Sequence, residues 1–288
     1  MTISNRLKHL IAELDRDRSL YAPDEWQKRM GALDRLEFCL VHEDVETNKE
    51  TIDSALKISA DLEAANREFY KSLRRDIQLG HGAQRLMQCA HEPSHDEENG
   101  DSARGETYDD LDVLISGVLQ FEEPGEDLAD LTPEMVFYQP TPARQIFHLI
   151  HRARLNKRDV LVDLGAGLGH VTILAAICTS AHCVGIEREL VYVASAKKCA
   201  IDLKLENATF LQQDVRHFDL SLGTVFYLYT PFTGELLRDV LNRLRREATQ
   251  RQIRVGTLGP CTLVVAEENW LQTTDTLTPG KVALFGSV

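Results

Sequence analysis

A parallel α/β sheet behind an all-helical N-terminal domain is the fold class that this sequence predicts, on three observations. From about Leu131, short β-branched or aromatic runs alternate with helical stretches. One such junction, residues 159–176, reads DVLVDLGAGLGHVTILAA: an apolar strand, an acid, three glycines and an apolar helix. Before Leu131, long stretches without proline carry apolar residues near three-four spacing, the mark of amphipathic helices.

The elements follow in chain order. The stretch PDEWQKRMGALDRLEFCLVHE predicts a helix started by Pro23 and Asp24. Residues 46–77 predict one long helix, with Ile52, Ala55, Leu62, Phe69 and Leu73 on one face. With the opening segment these form a small bundle whose stripes pack internally, hold a substrate or pair with a second copy, so a homodimer through the helical domain is one expectation. Residues 91–110 are poor in apolar groups and rich in acids, Ser and Gly, as in a flexible connector. A short helix at LDVLISGVLQF and a polar link at EEPGEDLADLTPE complete an N-terminal domain of residues 1–130. Residues 131–288 form the second domain. Its strands are predicted at DVLVDLG, HCVGIERE, ATFLQQD, TVFYLYTP and CTLVVAEE, with helices at VTILAAICT, ELVYVASAKKCAIDL and GELLRDVLNRLRREA. In such sheets the ligand lies beyond the carboxyl ends of the strands, so the residues just after each strand are the ones to read.

Composition limits the function classes. A 288-residue chain with 43% hydrophobic residues supports one large core or two modest ones. No leader pattern opens it and no apolar run reaches the roughly 20 residues of a membrane span, so a cytoplasmic protein is expected, with no membrane partner. The six cysteines are scattered without a Cys-x-x-Cys pair, and the cluster Cys89, His91 and His95 matches no familiar metal spacing, so no metal is expected. The net charge of −13 sits in the first half: residues 1–130 hold 15 Lys and Arg against 30 Asp and Glu, residues 131–288 hold 17 against 15. This makes nucleic acid a less favoured partner, since backbone affinity comes from counterion release by Lys and Arg. The basic run of Arg243, Arg245, Arg246, Arg251 and Arg254 reads as a solvated helix end and loop.

The glycine segment narrows the ligand. Gly169 is followed by His170 and Val171, so the Lys-Ser/Thr of a triphosphate-binding loop is missing. Gly165, Gly167 and Gly169 are spaced two apart, which misses the dinucleotide fingerprint by one residue. Asp163 stands where a pyrophosphate would suffer from an anion and a cationic ligand would gain. S-adenosyl-L-methionine, with a sulfonium and an α-ammonium group, suits an acid entering a glycine turn.

The stretch Asp163-Leu164-Gly165-Ala166-Gly167-Leu168-Gly169 resembles the first motif of class I, Rossmann-like, S-adenosylmethionine-dependent methyltransferases. The resemblance covers residues 131–288 and implies a mostly parallel seven-stranded sheet and S-adenosyl-L-methionine as cofactor. Glu187, 24 residues past Asp163 at the end of a strand, is able to accept two hydrogen bonds and matches the family's ribose-binding acid. The resemblance further implies that Asp214 accepts from the adenine amino group, that Val215 lies against the ring and that Thr141 belongs to the cofactor site. From the residues alone, Glu187 also reads as a surface acid beside Arg188, Asp214 as the cap of a turn, and Thr141, before Pro142, as a helix cap.

The family places its transfer machinery after the fourth strand and before the first. Tyr229-Thr230-Pro231-Phe232 is similar to the Asp/Asn-Pro-Pro-Tyr motif of amino-group methyltransferases, with Tyr229 in place of the amide- or base-binding residue. The segment at Tyr138 resembles the Tyr-Gly-Glu segment of the Dot-type, non-SET histone-lysine methyltransferases, with Gln139 and Pro140 replacing the glycine and glutamate; the aromatic strand at Phe226 extends that resemblance. Tyr138, Tyr227, Tyr229 and Phe232 suit the walls of an amine channel or the packing of a strand and loop. Glu267 and Glu268 read equally as substrate-facing acids or as part of a solvated loop, and His170 is expected to contact the helix start. The expected function is methyl transfer to a nitrogen of a protein, lysine-type, or of another macromolecule. The alternatives are a small-molecule methyltransferase with the helical domain as lid, and a scaffold that binds the cofactor without catalysis.

Overall fold

The computed structural model of the protein describes residues 3–42, 48–91, 108–122, 136, 138–278 and 280–288. The described residues divide into two compact units, one up to Arg74 and one from Arg75 onward. The first contains α1 (Ile3–Leu14), α2 (Trp26–Val41) and most of α3 (Lys49–Gln78). The expected start at Pro23 and Asp24 falls slightly early, since Glu25 is the residue flanking α2. Leu7, Leu10, Leu14, Leu36, Ile58 and Leu62 form the core of this unit. Within it Arg29 is fully buried: Nε donates to Asn66 Oδ1 at 2.7 Å, Nη1 donates to the carbonyls of Leu20 and Ala22, and the guanidinium lies 5.8 Å from the Phe69 ring centre. A buried cation is tolerated only with such saturation of its donors.

The second unit reaches back beyond the 131–288 expected from the sequence. Its helices α4 (Gly82–His91) and α5 (Asp110–Leu119) pack beside α6 (Ala143–Ala153), and α4 also meets α7 (His170–Cys178). The cause is apolar area: Leu111, Leu114, Ile115, Val118 and Leu119 of α5 are all buried. Asp109 and Asp112 form a capping box at the start of α5, and Asp112 also accepts from the amide of Ala143, so one acid serves two helix N-termini. Most of the expected connector at 91–110, and the link after Glu122, lie outside the described residues.

The sheet has the order β3-β2-β1-β4-β5-β7-β6, from β1 (Val160–Leu164), β2 (His182–Glu187), β3 (Ala208–Gln212), β4 (Val225–Tyr229), β5 (Arg254–Leu258), β6 (Leu271–Gln272) and β7 (Ala283–Ser287). All neighbours are parallel except those of β7. It is the expected mostly parallel seven-stranded sheet. The helices α8 (Leu190–Asp202) and α9 (Gly234–Ala248) complete the crossovers, and the chain reverses its direction of travel across the sheet between β1 and β4, where α/β ligand sites form.

One strand differs from expectation. CTLVVA is a helix, α10 (Cys261–Ala266), and β5 is the preceding RVGTL. Gly259 turns the chain at φ +81 and Pro260 flanks the helix start, so the β-branched run buries Cys261, Thr262 and Val265 on one helical face. Glu267 and Glu268 therefore follow a helix. Glu268 pairs with Arg238 at 2.6 Å and accepts from Trp270 Nε1 at 2.7 Å, a structural role in place of the expected substrate-facing one. Three arginines of the basic run are likewise committed to the fold: Arg243 donates to the carbonyls of Val215 and Phe218, Arg251 to those of Leu220 and Gly223, and Arg254 to Asp159, while Arg245 and Arg246 are exposed.

Among the described residues no helix is long and apolar enough to cross a membrane. Cys89 is buried in α4 and His91 Nδ1 lies against the Met87 carbonyl, while His95 is outside the described residues. No group of three His, Cys, Asp or Glu side chains suited to a metal occurs among those described.

Candidate active site

The β1–α7 junction begins the site. Gly165, Gly167 and Gly169 have φ of +88, +53 and +85, a backbone that side chains disfavour. Space excludes side chains as well. A Cβ on Gly165 would lie 2.4 Å from Pro231 Cβ, on Gly167 1.9 Å from Tyr138 Cε2, and on Gly169 2.5 Å from Phe210 Cε1. The first two glycines thus admit Pro231 and Tyr138 against the loop, and Gly169 admits Phe210 of β3.

Asp163, the penultimate residue of β1, lies in a row across the sheet with Gly185, Tyr227 and Gly256. It is buried, and its one hydrogen bond among the described residues comes from Thr172 Oγ1 at 3.3 Å. Burial, with the Glu187 charge nearby, pushes its carboxyl up to about 7. A buried acid in this state gains most from a cation. Glu187 ends β2 and is engaged by the backbone: Oε2 accepts from Gly167 N at 2.9 Å and Oε1 from Arg188 N and Glu189 N at 2.6 and 2.9 Å. It faces the cavity and ties the glycine loop to β2, so it is more than a surface acid.

Asp214 follows β3 and takes the capping role: Oδ1 accepts from Arg216 N at 2.9 Å, and Arg216 Nη2 reaches Oδ2 at 2.6 Å. The hydrogen bonds from Arg216 hold its carboxyl down at about 2. Val215 is buried beside it. Thr141 departs from the capping role, since the residue flanking α6 is Pro142 and Thr141 Oγ1 lies 3.1 Å from the fully buried hydroxyl of Tyr227.

Tyr138 covers the glycine loop. Its hydroxyl lies 3.1 Å from His170 Nδ1, its ring centre 4.9 Å from that of Tyr192, and burial raises its phenol well above the usual range. Burial pushes His170 down to about 4, so its imidazole is neutral at pH 7, and its ring meets that of Phe121 at a tilt, with centres 4.6 Å apart. His170 is the first residue of α7, as expected, and gains a second role in holding Tyr138. Tyr229, the last residue of β4, is half-buried; after it Pro231 contacts the glycine loop and Phe232 joins the core under α9. The Thr230 hydroxyl donates to the Leu258 carbonyl and accepts from Cys261 N, both at 3.1 Å, so it is committed to the protein and does not reach toward a reacting group.

These groups surround one cavity of about 1000 Å³, large enough for a cofactor and the end of an acceptor. Tyr138, Thr141, Asp163, Gly165, Glu187, Asp214, Val215, Tyr229, Thr230, Pro231 and Phe232 all line it; Gly167 and Gly169 shape the loop from behind. The lining also includes Arg188, Glu189, Tyr192 and Arg216, and Gly259 and Pro260 after β5, which sequence reasoning missed. Placing β5 at RVGTL would have pointed to Gly259-Pro260 by the strand-end rule; nothing in the sequence marks Gly280, which also lines the cavity. Both lining arginines face acids, Arg216 to Asp214 and Arg188 to Glu189 at 3.9 Å.

Residues 155–228 match a family model described as a methyltransferase domain. Curated proteins give no match. Similar solved structures include an RNA methyltransferase from Salinibacter ruber in complex with S-adenosyl-L-homocysteine, 25% identical, covering 52% of this chain and 92% of that one with a TM-score of 0.42. They also include the putative methyltransferase yhhF from Escherichia coli, at 20% identity, 54% and 90% coverage and a TM-score of 0.43. TrmN from Thermus thermophilus is similar at 17% identity, with 51% and 49% coverage and a TM-score of 0.40. The findings do not extend the resemblance to the Dot-type enzymes.

Proposed function

From a class I, S-adenosylmethionine-dependent methyltransferase domain as premise, we propose that the protein methylates a nitrogen of a protein, on a lysine-type side chain. The observation that carries this reading is the absence of a spare cation among the described lining residues: Arg188 faces Glu189 and Arg216 faces Asp214. Such a lining gives a phosphate backbone little to bind and favours the side chain of a protein.

The residues fit the cofactor. Asp163, a buried carboxyl short of partners, suits the α-ammonium group; Glu187 retains lone pairs for ribose hydroxyls; and Val215 offers an apolar surface to the adenine ring. Bound there, S-adenosyl-L-methionine supplies a methyl group on an electrophilic sulfur. The chain's own task is positioning and exclusion of water. Tyr138, Tyr229, Pro231 and Leu258 form a largely apolar wall that desolvates an entering amine and lowers its pKa, so that it reacts neutral after releasing its proton to solvent. Tyr138 and Tyr229 are wall residues here. Neither phenol acts as a base, since burial raises both above their ordinary range.

The test is transfer of radiolabelled methyl from the cofactor to cell extract separated into protein, RNA and small-molecule fractions. Label that resists nuclease, is lost on proteolysis and appears as methyllysine supports the proposal. Label confined to RNA or to small molecules overturns it.

A further inference from the structure

We infer that Thr230 is a positioning residue for methyl transfer: its left-handed backbone and bound hydroxyl together hold Tyr229 and Pro231 against the reacting end of the cavity. The inference rests on the methyl-transfer reading, although its structural half is testable without an acceptor.

Three adjacent strands, β1, β4 and β5, end side by side, and the first residue after each has positive φ: Gly165 at +88, Thr230 at +39 and Gly259 at +81. Glycine adopts this backbone freely, whereas for a β-branched residue it is an outlier. The three turns interlock. A Cβ on Gly259 would lie 2.7 Å from Thr230 Oγ1 and 3.3 Å from Tyr229 Cε2, and one on Gly165 would lie 2.4 Å from Pro231 Cβ. The buried Thr230 hydroxyl spans the Gly259-Pro260 turn, donating to the Leu258 carbonyl before it and accepting from Cys261 N after it, each at 3.1 Å. Pro231 in turn accepts from Val136 N at 3.4 Å, which draws in the segment before α6.

A glycine at 230 would relieve the backbone and lose the bridge. Strain of this kind persists where the surroundings over-determine a conformation, and such sites cluster at functional clefts. What threonine adds here is the link between the β4 and β5 loops, whose neighbours Tyr229, Pro231, Gly259 and Pro260 all line the cavity.

The experiment compares Thr230→Gly and Thr230→Ser with the wild type in the full chain. Thermal midpoint, cofactor Kd by calorimetry, methyl-transfer kinetics and amide exchange at Cys261 are read for each. The expected result for Thr230→Gly is an unchanged or higher midpoint, a cofactor Kd within two-fold, a kcat lowered at least ten-fold and Cys261 exchange at least ten-fold faster. Thr230→Ser restores kcat and slow exchange. Thr230→Ala, which also lacks the hydroxyl, replaces the glycine variant should that fail to fold, with kcat and Cys261 exchange as its readouts. A midpoint and kcat that fall together, an unchanged kcat, or unchanged exchange overturns the inference. A wild type that methylates no fraction defeats the functional reading instead, and the exchange comparison then decides the bridge.

Discussion

The ring of Tyr138 occupies the space that a side chain on Gly167 would need, with Cε2 1.9 Å from the position of its Cβ. Gly167→Ala therefore displaces Tyr138 as well as straining a residue at φ +53. Cofactor affinity is expected to fall at least ten-fold by calorimetry. In a Tyr138→Ala background the same substitution costs less, because only the backbone strain remains. Equal losses in the two backgrounds would show that Tyr138 does not transmit the effect.

Asp163 makes cofactor binding depend on pH. Its carboxyl is raised to about 7 by burial, and an ammonium group binds its ionised form. Without ligand, the folded state holds this proton more tightly than the unfolded chain, so stability falls as pH rises from about 4 toward 7. Binding has the opposite sign: Kd should tighten by up to about ten-fold per pH unit up to neutrality and then level off. Titrations of the cofactor at pH 5.5, 6.5 and 7.5, with Asp163→Asn as a flat and weak control, check the slope.

Asp214 is expected to matter less to the cofactor than Asp163. Its carboxylate is already committed to Arg216 and to the turn it caps. Asp214→Asn should weaken binding by less than about three-fold while Asp163→Asn weakens it by more than about ten-fold, the latter corresponding to about 1.4 kcal/mol. The reverse order would return Asp214 to the place of a principal adenine contact.

Glu268→Ala should leave methyl transfer within two-fold of the wild type. The change removes a pair with an exposed arginine, worth at most about 1 kcal/mol, and the hydrogen bond from Trp270. A fall of about 2–4 °C in thermal midpoint is expected, as for a loss of about 1 kcal/mol in a domain of this size. Lost activity with an unchanged midpoint would restore the acid to the substrate side.

Much of this site was legible because strand ends in a parallel sheet lie at one edge. Asp163, Glu187 and Asp214 each stand at or just after an apolar run, and reading those positions together located the cavity. The β5 edge was hidden for a local reason: RVGTL is short and carries an arginine and a glycine, while the β-branched CTLVVA after it forms a helix. Periodicity cannot separate a buried strand from a buried helix over six residues.

The sequence by itself determined the alternation of strands and helices, the glycine turn and the acid that enters it, because these are local patterns of apolar spacing and backbone freedom. Only the tertiary structure decided which functional groups are spent on the protein. Thr230, Glu268 and three of the five arginines read alike as candidate site or surface groups along the chain, yet each finds a partner across a loop or a neighbouring element. Hydrogen-bond saturation depends on distances between separate segments, and no property of one segment encodes it. The reach of the sheet unit back to α4 and α5 has the same origin, since a buried apolar face takes whichever surface the folded chain brings to it.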